Sequence, residues 1–305
     1  MSFVPYICMQ TNSKCYKNTS QMTVKGIMWH STGADNPYLW RYVQPTDGSP
    51  NYDADIKKIG KNTNGNDWNH QQVNAGLNAW IGKFDDGSIG TVQTMPWDFR
   101  PWGCGDEDLP ITCNSGWIQF EICEDSLNDR NYAERVFEEA CQLTAYICRL
   151  FKLNVDGYAD CGGVSVPVIT CHNDAAKLNR ASDHADINHW FPKILGKNMI
   201  DARKRVKEIL GGLPAMESFS EYITKMPPRG YYLLGDGYKA ETEYQPQIKQ
   251  IQLFLNWAVG TKLSISGKYG QDTEKAVMKF QKAVGITVDG SWGRNTLEKA
   301  KTYKK

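Results

Sequence analysis

Three short apolar runs, each with a polar residue at or near its end, most constrain the fold of this 305-residue chain. They are VKGIMWHSTG (24–33), GWIQFEICE (116–124) and VPVITCH (166–172). Runs that are apolar on both faces are typical of central strands in a sheet that other elements cover. Because functional residues of α/β folds lie at strand ends, His30, Glu121 and His172 are candidate functional residues.

The segments between these runs complete an α/β pattern. Residues 131–150 repeat apolar side chains at helical spacing, and residues 199–210 predict a second helix that Gly211 and Gly212 end. Residues 78–97 contain Asp86-Gly87 between two apolar runs, which predicts a hairpin. The first two-thirds of the chain therefore predict an α/β domain.

The last part of the chain reads as a separate module. LSISGKYGQDTEKAVMKFQ (263–281) is echoed by ITVDGSWGRNTLEKA (286–300), and a first helix over 248–257 makes a three-helix unit. Asp272 and Asn295 are predicted to cap the second and third helices. We predict domains at 1–212 and 244–305, joined by a linker over 213–243.

Charge separates the same two parts. Residues 244–305 hold 11 Lys and Arg against 4 Asp and Glu, a net charge of +7, and the preceding residues carry −6. A basic module is most often a solvated surface, and otherwise one that meets an anionic polymer such as cell wall or nucleic acid. No nucleic-acid motif is present, so we expect no nucleic-acid partner.

Cysteine usage and the N-terminal residues bear on the compartment. All nine cysteines lie between Cys8 and Cys171, their number is odd, and no CxxC occurs, which favours reduced thiols in a protein made in the cytoplasm. The first residues lack a basic segment followed by an apolar core, so we expect no signal peptide. No run of about 18 apolar residues occurs, which argues against a membrane span.

The stretch SDHADINHWF (182–191) adds metal-binding side chains to the strand-end histidines. Two histidines and one carboxylate form a common catalytic zinc site, so His30 and His172 need only one further ligand. His184, Asp186 and His189 are all candidates at this stage.

Glu121 lies within an apolar strand, in FEIC. Burial would raise its pKa towards the range of a general base, whereas an alternating strand could equally turn it to a polar face. A neighbouring metal would favour the catalytic interpretation.

Taken together, MWHSTG (28–33), IQFEICE (118–124), VITCHNDAAK (168–177) and SDHADINHWF resemble the type 2 N-acetylmuramoyl-L-alanine amidases. These enzymes share the fold of peptidoglycan-recognition proteins and are frequent in phage and prophage endolysins. The tail, with GKYGQDTEKAVMKFQ and DGSWGRNTLEKA, resembles a three-helix peptidoglycan-binding module. The resemblance implies a central mixed β-sheet flanked by helices, followed by a small all-α domain.

The resemblance also implies roles for individual residues. His30, His172 and Asp186 take the places of the Zn²⁺ ligands, and Glu121 takes that of the glutamate that acts on the attacking water. His184 stands where many relatives have a lysine that stabilises the oxyanion.

Two departures from the family pattern affect these roles. Ile187-Asn188 replaces Pro-Gly, and Trp102-Gly103-Cys104-Gly105 keeps only the Trp and the last Gly of W-H-x-G. We expect Trp102, Tyr269 and Trp292 to contact substrate. His70 is expected at the surface, and His189 outside the first coordination shell.

The resemblance implies hydrolysis of the amide between N-acetylmuramic acid and L-alanine, as in a bacteriolytic endolysin. Such an enzyme is made in the cytoplasm and acts at the cell wall after release, for which a pore-forming, holin-type partner is a candidate. Two other functions remain open: a peptidoglycan-recognition protein that does not cut, and a zinc peptidase that acts on the stem peptide.

Overall fold

The computed structural model describes residues 3–105, 108–211, 226–238 and 243–303. Contacts between Cα atoms divide the chain into two units, Met1–Pro214 and Ala215–Lys305. The predicted linker over 213–243 lies in large part outside the described residues. Among the described residues, no helix combines the length and apolar character needed to cross a membrane.

Unit 1 is built on a six-stranded sheet with the strand order β1-β4-β3-β5-β2-β8. A separate two-stranded sheet pairs β6 with β7. The strands are β1 (Tyr6–Ile7), β2 (Gly26–Ser31), β3 (Ala79–Lys83), β4 (Ile89–Gln93), β5 (Trp117–Ile122), β6 (Tyr158–Cys161), β7 (Val164–Pro167) and β8 (Ile169–Cys171). The helices of unit 1 are α1 (Lys14–Asn18), α2 (Tyr52–Ile59), α3 (Arg130–Phe151), α4 (His172–Ala176), α5 (Phe191–Leu195) and α6 (Met199–Gly211), with 3-10 turns at Leu39–Arg41 and Cys113–Ser115.

Parallel pairing at the centre of the sheet matches the apolar runs of the sequence. β2 pairs in parallel with β5 on one side and with β8 on the other, and every residue of β2 is buried. β3 and β4 form the predicted antiparallel hairpin, and β3 also pairs in parallel with β5. The sheet is therefore mixed, and the predicted fold class is confirmed.

The run predicted as one strand over 166–172 is divided in the structure. β7 ends at Pro167 and pairs with β6, whereas β8 begins at Ile169 and pairs with β2. Proline has no N–H to donate to a ladder, which suits a position where the chain changes partner strands. His172 then opens α4 rather than ending the strand.

Helix α3 covers one face of the sheet. The side chain of Asp129 accepts a hydrogen bond from the Tyr132 N–H and caps the helix. Trp29 donates its indole N–H to Thr144 Oγ1 at 2.9 Å, and its ring lies 5.8 Å from that of Phe137. Because side chains alternate along a strand, His30 faces the opposite side of the sheet from Trp29.

The described residues of unit 2 form three helices that agree with the predicted module: α7 (Gln245–Val259), α8 (Gln271–Ala283) and α9 (Arg294–Thr302). The predicted caps are wrong, because the N-cap positions of α8 and α9 are Gly270 and Gly293, and neither helix has a side-chain cap. Asp272 instead lies in the first turn of α8, where its charge suits the positive end of the helix dipole.

The core of unit 2 is aromatic. The ring of Phe254 lies 5.0 Å from Phe280 and 5.4 Å from Trp292. The backbone of Tyr232, within the stretch predicted as linker, exchanges two hydrogen bonds with that of Trp292. At least this part of the stretch is thus packed onto the helices.

Candidate metal centre

Two histidines come together at the ends of neighbouring strands. His30 is the fifth residue of β2, and His172 follows β8, the strand that pairs with β2 in parallel. Their side chains are 2% and 3% exposed. Their Nδ1 atoms lie 2.9 Å apart.

Asp186 supplies a carboxylate to the same point. Its Oδ2 lies 3.5 Å from His30 Nδ1 and 3.3 Å from His172 Nδ1. The segment that carries it is tied to α4, because the backbone N–H of Asn173 donates to the Asp186 carbonyl at 3.2 Å. The Asn188 side chain adds bonds to Asn173 and Asp174 at 3.0 and 3.1 Å.

The outer nitrogens of both rings are already engaged. His30 Nε2 lies 3.0 Å from Gln119 Oε1, and His172 Nε2 lies 3.0 Å from the Ser182 carbonyl oxygen. A carbonyl oxygen only accepts, so His172 Nε2 carries the hydrogen and its Nδ1 presents a lone pair.

This donor set fits a zinc ion. Ligand atoms bound at about 2.0–2.1 Å in a tetrahedron lie about 3.3 Å apart. The three atoms here are 2.9, 3.3 and 3.5 Å apart, so they could occupy three corners of such a tetrahedron. Within the described residues, His30, His172 and Asp186 form the one group of histidine, cysteine or acidic side chains whose arrangement could hold a metal.

The protonation states of these residues also suit a metal. Burial is the largest cause that lowers the pKa of His30, to about 4, and the nearby His172 lowers it further. Burial opposes ionisation of Asp186, but its contacts with His172 and His30 hold its pKa well below the usual range. At neutral pH the centre therefore offers a neutral imidazole and a carboxylate, the forms that bind metal ions.

Glu121 stands beside this group on the same face of the sheet. It is paired with His30 in the β2–β5 register, and its side chain is half-buried. Burial, followed by the charges of Asp186 and Glu124, raises its pKa well above the ordinary value. A carboxyl group whose pKa is raised accepts a proton more readily than an exposed one, as a general base must.

A pocket of about 520 Å³ opens next to the centre. His184 and Trp102 line it, together with Arg100 and Asn114. The exposed His184 ring lies 4.8 Å from the ring of His172. His184 and Trp102 are thus positioned to meet a ligand beside the centre. Among the described residues, Asp186 and not His184 completes the group with the two histidines.

The remaining histidines have other partners. His189 Nε2 lies 3.0 Å from the buried carboxylate of Glu124. His70, expected at the surface, is only 27% exposed, and its Nδ1 lies 2.9 Å from Asp67. Neither belongs to the candidate centre.

The two aromatic residues of the tail are not at a surface. Tyr269 and Trp292 are both 0% exposed. The Tyr269 hydroxyl donates to the Gly290 carbonyl at 2.9 Å. A side chain without exposed surface cannot contact a polymer, so in this conformation both residues serve the core of unit 2.

Sequence reasoning missed the residues that hold the ligands in place. Gln119 contacts His30, Ser182 contacts His172, and Asn114 contacts Gln119. A signal existed for Gln119, because it precedes Glu121 by two residues and so faces the same side of β5.

All nine cysteines are buried. Burial raises the pKa of most of them, as for Cys104 at about 12. Their buried side chains contribute apolar volume to the core.

Two protein-family models match the chain. The model described as N-acetylmuramoyl-L-alanine amidase matches residues 20–187, more than half of the chain, and a peptidoglycan binding domain model matches residues 244–299. No curated protein matches the chain.

Several solved structures resemble the chain weakly. The Staphylococcus aureus hydrolase AmiA, solved in complex with its ligand, is 18% identical over 69% of this chain and 80% of its own, with a TM-score of 0.41. PlyL is 15% identical over 68% and 97%, with a TM-score of 0.40. A mutant endolysin from Bacillus subtilis is 14% identical over 67% and 99%, with a TM-score of 0.37. Likenesses at these scores carry no argument about fold or activity.

Proposed function

The chain belongs to the N-acetylmuramoyl-L-alanine amidase family, and we propose that it is a zinc enzyme that cleaves the amide between N-acetylmuramic acid and L-alanine in peptidoglycan. Family membership and the peptidoglycan-binding domain supply the reaction class and the polymer. The metal and the roles of individual residues are our proposal. The observation that carries it is the convergence of His30, His172 and Asp186 beside Glu121.

His30, His172 and Asp186 are proposed to hold the zinc ion. When bound, a zinc ion in such a site polarises a carbonyl group and makes water a nucleophile at neutral pH. Orientation of the ligands comes from the protein, through the bonds from His30 to Gln119 and from His172 to Ser182.

Glu121 is the proposed general base and acid. It takes a proton from the attacking water and then gives one to the nitrogen of the leaving L-alanine. Its raised pKa suits both steps, since a base that is too weakly basic would not retain the proton for the leaving group.

His184 and Trp102 are proposed to act on the substrate. The imidazole of His184 would donate a hydrogen bond to the carbonyl oxygen as negative charge develops there. Trp102 would pack against the substrate in the same pocket. Tyr269 and Trp292 are excluded from the proposed contact set by their complete burial.

The proposal is tested first with Glu121→Gln. We expect activity on purified peptidoglycan to fall about 10²- to 10⁴-fold, the usual range for loss of a general acid–base, while zinc content is unchanged. Glu139→Gln is a matched control, because Glu139 is also a half-buried carboxyl with a raised pKa but lies on α3, on the other face of the sheet. Wild-type activity in Glu121→Gln would exclude Glu121 as the base.

Product analysis separates the amidase from its two rivals. Mass spectrometry of digested sacculi should find intact stem peptides with a free L-alanine amine. Cleavage within the stem peptide would instead indicate a zinc peptidase. Binding to sacculi without release of any product by the zinc-loaded protein would indicate a recognition protein.

We also propose that the enzyme acts as an endolysin, which crosses to the wall through a pore formed by a holin-type partner. The support is the joining of an amidase and a peptidoglycan-binding domain in one chain. Expression in bacteria should cause lysis only when a pore-forming protein is supplied, and Glu121→Gln should prevent it. Equal lysis with and without the pore would contradict this route.

A further inference from the structure

We propose that Gln119 is a positioning residue that fixes the tautomer and ring orientation of His30. The inference rests on the proposed function only in treating His30 as a zinc ligand. Gln119 is fully buried on β5, two residues before Glu121. Its Oε1 lies 3.0 Å from His30 Nε2.

The direction of this hydrogen bond follows from backbone groups that can only donate. The N–H groups of Gly103 and Cys104 both point to one atom of Asn114, at 3.2 and 3.1 Å. That atom must therefore be the oxygen Oδ1 rather than the amide nitrogen.

The orientation of the Gln119 amide follows from that of Asn114. Because Asn114 Oδ1 is an acceptor, the group of Gln119 that lies 2.9 Å from it must be the donor, Nε2. Nε2 also lies 3.2 Å from Cys104 Sγ. The other end of the Gln119 amide, Oε1, is left facing His30, so His30 Nε2 must carry the hydrogen.

The consequence for His30 is a fixed lone pair on Nδ1. Nδ1 is the atom that faces His172 and Asp186, and a nitrogen binds a metal only through its lone pair. Two backbone N–H groups thus determine, through two side-chain amides, which nitrogen of His30 is available to the metal. His172 is oriented differently, by the backbone carbonyl of Ser182.

The position of Gln119 is itself restricted. Its backbone N–H donates to Asn78 Oδ1 at 3.0 Å, and a Cβ at Gly103 would overlap its Oε1 as well as Leu77. Gly103 is the residue that replaces the histidine of the W-H-x-G pattern in this chain. Its missing side chain is what allows the Gln119 amide to lie against His30.

The test is zinc affinity, measured on the full chain by competition with a chromophoric chelator. Loss of a partner that orients a metal-binding histidine typically weakens metal binding about 10- to 100-fold, and we expect Gln119→Leu to fall in that range. Asn114→Leu, which removes the acceptor, should weaken binding in the same direction. Asn114→Asp keeps the acceptor and should restore most of the affinity.

One control separates positioning from general damage to the core. Gln93→Leu makes the same change at another fully buried glutamine, whose amide bonds to the Met95 carbonyl, and should leave zinc affinity within about twofold of wild type.

A direct readout comes from ¹⁵N NMR of the histidine side chains in the zinc-free protein. Wild type should show His30 with hydrogen on Nε2, and Gln119→Leu should show a mixture of the two tautomers. Unchanged zinc affinity together with an unchanged tautomer in Gln119→Leu would overturn the proposal. Because the NMR measurement needs no metal, a wild-type protein that fails to bind zinc would refute the proposed function while leaving this test valid.

Discussion

Both units of the protein contain buried glutamine side chains, but these side chains have different roles in the two units. In unit 2, Gln281 is 1% exposed, its Oε1 accepts from the N–H groups of Asp289 and Gly290, and its Nε2 donates to Asp289, Ser291 and Thr296. Gln252 bonds to the equivalent first turn in the same way, accepting from Gly267 and donating to Lys268 and Thr273. In both networks the amide oxygen of the glutamine accepts, and its amide nitrogen donates, within the turn that the glutamine supports.

In unit 1 the hydrogen-bond network that passes through Gln119 does not end within a turn. It runs from backbone N–H groups through Asn114 and Gln119 to His30, and it ends at lone pairs. Three acceptor atoms then face one another, an arrangement that is unfavourable without a cation between them. The networks in unit 2, whose donors and acceptors are paired with one another, stabilise turns. The network in unit 1 ends at acceptor atoms that face one another, which is typical of a ligand site.

The repeat in unit 2 explains why its turns need this support. Gly267 and Gly290 have φ values of 72° and 74°, in the left-handed region that favours glycine. Each is followed, two residues later, by a fully buried aromatic side chain, Tyr269 or Trp292. The repeated G-x-aromatic-G pattern thus encodes a turn that inserts an aromatic residue into the core.

The largest effect that would sharpen this comparison is expected from Trp292→Ala. Truncation of a buried Trp typically costs about 3–5 kcal/mol, so we expect the unfolding transition of unit 2 to shift strongly in urea. Activity on a soluble muropeptide should stay near wild type, because the metal centre lies in unit 1. A loss of wall binding with no loss of stability would contradict the core role and restore Trp292 as a wall contact.

An intermediate effect is expected from pH in the metal-free protein. The pKa of His30 is lowered from 6.5 to about 4, so the unfolded chain binds this proton more readily than the folded one. His30 therefore contributes stability that is present above pH 6.5 and is lost as the pH falls to about 4, at most about 3 kcal/mol.

Chemical unfolding of the chelator-treated protein at pH 7 and pH 4.5 measures this contribution. His30→Gln should lose less stability over that interval than wild type. Equal pH dependence in His30→Gln and wild type would show that the centre does not behave as a buried neutral site.

The smallest effect of the three is expected from Gln281→Leu. Loss of the amide leaves the N–H groups of Asp289 and Gly290 without their acceptor, at a cost of about 1–3 kcal/mol. We expect unit 2 to be destabilised, with zinc affinity unchanged. Gln119→Leu should instead weaken zinc binding. A change of zinc affinity in Gln281→Leu would contradict the different roles of the buried glutamines in the two units.

Much of the fold could be predicted because local pattern and burial agree. The strands around His30 and Glu121, helix α3 and the hairpin at Asp86-Gly87 all have the expected periodicity. The division at Pro167 and the parallel pairing of the two-residue β1 with β4 could not be predicted, since they depend on which distant strand is nearby.

The site was predictable in part for the same reason. His30, His172 and Glu121 stand at strand ends, where chemistry is expected, but the choice of Asp186 came from a family resemblance. The roles of Asn114 and Ser182 depend on contacts between separate loops and leave no mark in local sequence. Tyr269 and Trp292 were misjudged, because an aromatic residue after a turn glycine looks the same whether it faces a ligand or the core.

Zinc content of the purified full chain tests the central claim most directly. Wild type, Asp186→Ala and His184→Ala are loaded with zinc, freed of excess metal and assayed by atomic absorption. The account predicts a stoichiometric zinc ion in wild type and in His184→Ala, and loss of zinc in Asp186→Ala, since Asp186 Oδ2 is the atom that lies 3.3 and 3.5 Å from the histidine nitrogens. Zinc retained in Asp186→Ala and lost in His184→Ala would contradict it.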